Sequence, residues 1–296
     1  MAAIQTPFQV AALNRDAQET MGCCFIKTLL GIDAYLRHRE ADSGELTRRR
    51  VMGYRAIKPT KQLTKRTVGL HVLNGQLSRA VRRLTTVYPL PGVASWRDLV
   101  NLNYSEQAAA DHTTHQHLEH TIDQVEHLIA YRFRNKNLLA EALRPDNAQR
   151  RYWETPNDRL EYLGDAVLET CAPLFWVAHH IDLPSLCDYT AESVCNLALQ
   201  TVVLEVGLDG HIIGATADQL AEISQAREEH MLAKQNDPNG AFWKGVYLSK
   251  TLADVMEAIF GAVFLDADMD FSEVVDLFER LHWPTVGSRM SAPPEP

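Results

Sequence analysis

The sequence predicts an all-α protein, and three observations carry that reading. Apolar residues recur at helical spacing along the C-terminal half, helix-stopping residues stand where those runs end, and the composition is that of an ordinary globular chain, 46% apolar and 23% charged over 296 residues. In order, Ile122, Val125, Leu128 and Ile129 mark one helix, and a loop rich in Pro, Asn and Arg follows at 144–157. A long apolar segment covers about 158–178. Val194, Leu197, Ala198 and Val202 mark the next helix, which Gly207 is placed to end. A polar helix and loop span about 215–245 and close in the turn Asn236-Asp237-Pro238-Asn239-Gly240. Another apolar helix is expected at about 249–266. The last has Phe271, Val274, Val275, Phe278 and Leu281 on one face, Asp270 and Glu273 as a capping pair, and Pro284 as its stop. The expected organisation is a basic helical region at 1–85, a linker at 86–118, an all-α domain at 119–284 and a tail at 285–296.

Several classes are excluded at this level. No apolar run approaches the roughly 20 residues a membrane helix needs, and the first residues lack the pattern of a secretory signal. Five cysteines, odd in number and without CxxC spacing, point to free thiols in a reducing compartment, cytoplasmic or nuclear, and not to a zinc site. His112, His115 and His117 of the polar linker, with His120 just after it, lack an evident ordered scaffold or Cys partner, so a metal set there is not expected. The net charge of -9 at first argues against a nucleic-acid partner. Residues 1–118, however, carry 16 Lys+Arg and 9 Asp+Glu, and residues 119–296 carry 13 and 29, so the average hides halves of +7 and -16. The basic excess runs through Arg48, Arg49, Arg50, Arg55, Lys58, Lys61, Lys65 and Arg66, then Arg79, Arg82 and Arg83. That stripe reads either as a phosphate-contacting surface or as a solvated helical face.

Two stretches carry chemistry. In Asp158-Arg159-Leu160-Glu161-Tyr162-Leu163-Gly164-Asp165, Glu161 and Asp165 lie one helical turn apart on one face. In the run 251–265, Asp254 and Glu257 are the only acids and again share a face. Ionised carboxylates among apolar neighbours are costly unless compensated, and Arg159 and Lys250 are the only nearby bases. Like charges forced together share protons or bind a cation. Two helices each presenting a carboxylate pair would form an oxygen-rich cage suited to Mg²⁺ or Mn²⁺, with Gly164 and Gly261 allowing close approach. The alternative is a buried structural network.

RLEYLGDAVL at 159–168 closely resembles the signature of the ribonuclease III family, and KTLADVMEAIFGAVFLD at 250–266 resembles its second acidic motif. VEHLIAYRFRNKNLLAEAL at 125–143 looks like the opening helix pair of that domain, and SVCNLALQTVVLEVGLDGHI at 193–212 like its middle helix. The resemblance implies the all-α endonuclease-domain fold and Mg²⁺-dependent hydrolysis of double-stranded RNA, with Mn²⁺ as a substitute. The products would carry 5′ phosphates and 3′ hydroxyls. By position, the family's four metal-site acids fall on Glu161, Asp165, Asp254 and Glu257. Asp158 stands where the family more often has Glu, and Lys250 matches a lysine common in the Dicer branch.

Residues 18–27, QETMGCCFIK, resemble the same signature as it occurs in the first ribonuclease III domain of Dicers. Glu19 holds the first acid position, and Cys23 stands where Asp belongs. GELTRRR at 44–50 and KQLTKRTVGLHVL at 61–73 look like later helices of that domain, while 84–118 holds nothing like the second acidic motif. The implied picture is an intact domain preceded by a truncated, catalytically dead one; an unrelated basic helical extension is the other reading. Pairing within the chain would nick one strand of a duplex, whereas a homodimer of the acidic domain would cut both. No double-stranded-RNA-binding, helicase or PAZ module is expected within these residues. Two non-catalytic classes accompany the enzyme reading: an RNA-binding scaffold, and a regulator that pairs with a full-length Dicer.

Overall fold

The computed structural model describes residues 15–57, 62–109, 118–146, 156–179 and 183–290. As the sequence predicts, the described residues are helical, with one isolated bridge between Leu90 and Val93. The N-terminal half contributes α1 (Arg15–Arg37), α2 (Ser43–Ile57), α3 (Gln62–Leu73), α4 (Leu77–Thr85) and α5 (Trp96–Ala109). The acidic half contributes α6 (Glu119–Ile129), α7 (Lys136–Ala142), α8 (Asp158–Ala178), α9 (Leu183–Ser193), α10 (Asn196–Val206), α11 (Ala217–Asn236), α12 (Lys250–Asp266) and α13 (Phe271–His282). Gly207, at φ 83°, ends α10, as its sequence position suggests. Thr216 and Gln219 form a reciprocal capping box on α11, and Asp270 caps α13 through Ser272 N. Pro284 does not stop the chain's helical course. It sits in a wider helical turn, Trp283–Gly287, that runs straight on from α13.

Glycine sets how closely the two central helix pairs meet. A Cβ on Gly164 of α8 would lie 1.8 Å from the carbonyl oxygen of Glu257 on α12, and one on Gly261 would lie 2.4 Å from that of Leu160. The backbones therefore touch, and hydrogen is the only side chain that fits. The same contact recurs in the other half. A Cβ on Gly22 of α1 would lie 1.9 Å from Lys65 O on α3, and one on Gly69 would lie 1.9 Å from Gln18 O. The residue spacing matches at both crossings: Gln18 and Gly22 stand as Leu160 and Gly164 do, and Lys65 and Gly69 as Glu257 and Gly261 do.

Helices α1 and α8 in turn pack on each other. Thr28 Oγ1 meets Thr170 Oγ1 at 2.8 Å, and Lys27 approaches Glu169 at 3.9 Å. In the numbering fixed by the glycines, each of these pairs joins equivalent positions of the two helices, which is how residues at a two-fold axis meet. One apolar core runs through both halves. Phe25, Trp96, Phe264 and Phe271 close it with ring-centroid separations of 5.0–6.5 Å. Of these, the buried Phe25, Phe264 and Phe271 contribute about 1.5–3 kcal/mol each, and the partly buried Trp96 less. Residues 86–118, expected as a linker, thus contain α5, which supplies Trp96 and an amide from Asn103 to Leu265 O. The expected tail is also part of the packed chain at first, since Thr285, Val286 and Gly287 are buried. His112, His115 and His117 lie outside the described residues.

Candidate metal centre

The first turn of α8 and the N-terminal half of α12 project the site, and the glycine crossing holds them together. Glu161 enters one turn before the contact on α8; Asp254 and Glu257 enter on the facing side of α12. One carboxylate oxygen from each of Glu161, Asp254 and Glu257 lies within 4.8 Å of the others. Lys250 reaches into this group, with Nζ at 2.6 and 2.7 Å from the two Asp254 oxygens and 3.1 Å from Glu161 Oε1.

The electrostatics follow from burial. Glu257 is the most enclosed of the three, and desolvation, with Asp165, Glu161 and Asp254 nearby, pushes its carboxyl up to about 9. Burial also raises Glu161, helped by Asp254, and raises Asp254 despite its bonds to Lys250. Burial pulls the Lys250 ammonium down, but Asp254 and Glu161 overcome that and hold it above its ordinary value. A group of hard oxygen donors with excess negative charge, already neutralised in part by an ammonium, fits a small divalent cation better than zinc.

The fourth expected acid stands apart. Asp165 accepts a hydrogen bond from Arg50 Nη2 at 2.9 Å, and Arg50 also lies 4.0 Å from Glu169 and over the Tyr162 ring. Arg50 comes from α2, so the N-terminal half supplies a cation to the edge of this site. It was legible only as part of the basic run at 48–50, since nothing local ties it to a residue 115 positions later. Arg159, expected to neutralise the acids, does something else. Its guanidinium donates to the carbonyls of Tyr35, His38 and Ala41, at and just beyond the C-terminal end of α1, where the helix dipole favours a cation. Asp158 lies outside the three-acid group, and burial, with Asp146 nearby, raises its carboxyl. Asp266, also on α12, is structural: it accepts from Tyr131 Oη, Arg134 N and Asn135 N.

Residues 158–268 match the family model described as Ribonuclease III domain. The chain carries a ribonuclease III domain. It is 32% identical over 174 residues to Dicer-like protein 1 of Pyricularia oryzae, covering 53% of this chain and 11% of that protein. It is 27% identical over 176 residues to Endoribonuclease Dicer homolog 3b of Oryza sativa subsp. japonica, covering 58% and 11%. The match to Dicer-like protein 1 of Aspergillus niger reaches 76% of this chain at 27% identity and covers 15% of that protein. The chain thus spans 11–15% of the length of these relatives. Among solved structures, the nuclease domain of ribonuclease III from Campylobacter jejuni matches 56% of this chain and 95% of its own, at 25% identity and a TM-score of 0.40. No described helix is long and apolar enough to cross a membrane.

Proposed function

We propose that this chain hydrolyses phosphodiesters of double-stranded RNA with Mg²⁺, or Mn²⁺ in its place, from a single active centre. The observation that carries this reading is the group of three carboxylates, partly neutralised by Lys250, at the α8–α12 crossing of a ribonuclease III domain. Glu161, Asp254 and Glu257 would hold the cation, with Asp165 joining when Arg50 releases it. A divalent ion in this place supplies charge stabilisation at the phosphate and acidifies the attacking water. The chain's own residues do the rest. Glu257 gives up the proton its burial favours, and Lys250, displaced from Asp254, keeps an ammonium within reach of the phosphate. Products would carry 5′ phosphates and 3′ hydroxyls, and the duplex would be read by shape, phosphates and 2′ hydroxyls.

The N-terminal half is proposed to be a degenerate ribonuclease III domain paired with the intact one. The repeated glycine crossing and the Thr28–Thr170 contact support this, and the face of α8 that α1 covers is not open to a second copy. One centre in such a pair nicks one strand. The test incubates the full chain with duplex RNA labelled on either strand and Mg²⁺, beside Glu257→Gln. Mg²⁺-dependent nicks that the variant abolishes are expected. No cleavage at any Mg²⁺ or Mn²⁺ concentration overturns the enzyme reading in favour of a scaffold or regulator, and short duplexes with staggered ends overturn the single-centre reading.

A further inference from the structure

The pairing proposed above leaves a second place where a duplex would meet the protein, and its residues have the opposite charge. The glycine contacts fix the register. Because Lys65 O sits against Gly22 as Glu257 O sits against Gly164, Lys65 occupies the position of Glu257. Counting along the same helices, Glu19 stands for Glu161, Cys23 for Asp165 and Gln62 for Asp254. Four acids are replaced by one acid, a thiol, an amide and an ammonium. The neighbouring Arg66 pairs with the remaining acid, Glu19, at 3.3 Å, with about a quarter of each side chain exposed. Its buried Nε has no hydrogen-bond partner, and the half-buried Lys65 makes no ion pair among the described residues.

We infer that this pseudo-centre, built on Lys65 and Arg66, is a metal-independent binding site for a backbone phosphate of the duplex strand that is not cut. A carboxylate cage repels a phosphodiester and approaches it only through a cation. Here Lys65 and Arg66 against Glu19 leave a net positive place at the position related by the internal two-fold axis. A phosphate docks on side chains directly, with no metal and no Asp-equivalent to lead to hydrolysis. Arg66, about a quarter exposed, adds its guanidinium charge beside Glu19, and Lys65 acts as a point charge. The intact centre cuts its strand while the duplex is anchored by the other.

The inference rests on the duplex-RNA reading, so its test uses binding without catalysis. Fluorescence anisotropy of a labelled duplex RNA is followed with the full chain in EDTA over a range of KCl concentrations. Lys65→Glu is expected to weaken binding roughly five- to tenfold near 0.1 M salt and to lower the slope of log K against log salt by about 1. Lys65→Arg should keep wild-type affinity. Glu19→Gln, which releases Arg66, should tighten binding about two- to fivefold. Circular dichroism melting checks that each variant is folded. A folded Lys65→Glu with wild-type affinity and salt slope overturns the inference, as does weaker binding by Glu19→Gln. Binding in EDTA that obeys these expectations, in a protein that never cuts, would sink the nuclease reading and leave the phosphate site standing. Nicking without any effect of Lys65 on binding would do the reverse.

Discussion

Replacing Gly22 by Ala tests whether the N-terminal half is an integral part of the molecule. The new Cβ would lie 1.9 Å from Lys65 O and 2.7 Å from Lys65 C, both backbone atoms that no rotamer change can move. To reach the 3.4 Å of ordinary contact, α1 and α3 must part by about 1.5 Å, opening the packing of Met21, Phe25, Val68 and Val72. Overpacking a core costs about 1–3 kcal/mol, and a backbone-to-backbone clash belongs at the upper end. The better helix propensity of Ala returns about 1 kcal/mol. A net loss of about 2 kcal/mol lowers Tm by roughly 4–8 °C in a chain of this order of size. Thermal unfolding followed by far-ultraviolet circular dichroism and by tryptophan fluorescence measures it, since Trp96 sits between the halves. Gly164→Ala should cost a similar amount through the same transition. If Gly22→Ala melts within a degree of wild type, or melts a separate minor transition and leaves the main one in place, the shared core and the repeated crossing do not hold.

Three further expectations concern the centre and its support. Arg50→Ala frees Asp165 and should tighten Mn²⁺ binding by calorimetry about three- to tenfold, a figure discounted because Asp165 is half-exposed; weaker or unchanged binding contradicts the competition. Glu257, held near 9, keeps a proton that an unfolded chain loses near 4.5, so its contribution to the stability of metal-free protein is greatest at acid pH and drains away as pH rises between those values. Mn²⁺ should therefore expel close to one proton at pH 7 and bind more tightly up to about pH 9, and calorimetry in buffers of different ionisation heat would show neither in Glu257→Gln. His282 is the opposite case: burial between Phe278, at 4.4 Å, and Trp176 depresses it to about 3, so the unfolded chain takes up a proton first and stability is lost as pH falls from about 6.5 to 3. His282→Phe should flatten urea midpoints over that range, and an unchanged acid slope would refute the assignment.

What was legible in the sequence was whatever helical spacing encodes. Glu161, Asp254, Glu257 and Lys250 could be grouped because each lies one turn from another acid or base, or on a motif of known order, and the two glycines announced the crossing. Arg159 misled for the same reason: two residues from Glu161, it points some 200° around the helix, and adjacency in sequence placed it on the wrong side. Arg50 and the detachment of Asp165 depend on a contact between halves and leave no local trace. The helix that crosses α1 as α12 crosses α8 was sought by its acids and missed in that role, because Gln62 and Lys65 stand at the positions that Asp254 and Glu257 hold in α12. Only Gly69 and its register remain.

That residue separates two kinds of information carried by the same pair of helices. At positions 22 and 69 the requirement is geometric, and any side chain larger than hydrogen meets a peptide group. At positions 19, 23, 62 and 65, between and beside them, nothing in the crossing specifies what the side chain must be. A helix pair of this design can carry entirely different chemistry, carboxylate or amine, on an unchanged shape, so the same architecture is available for a different ligand.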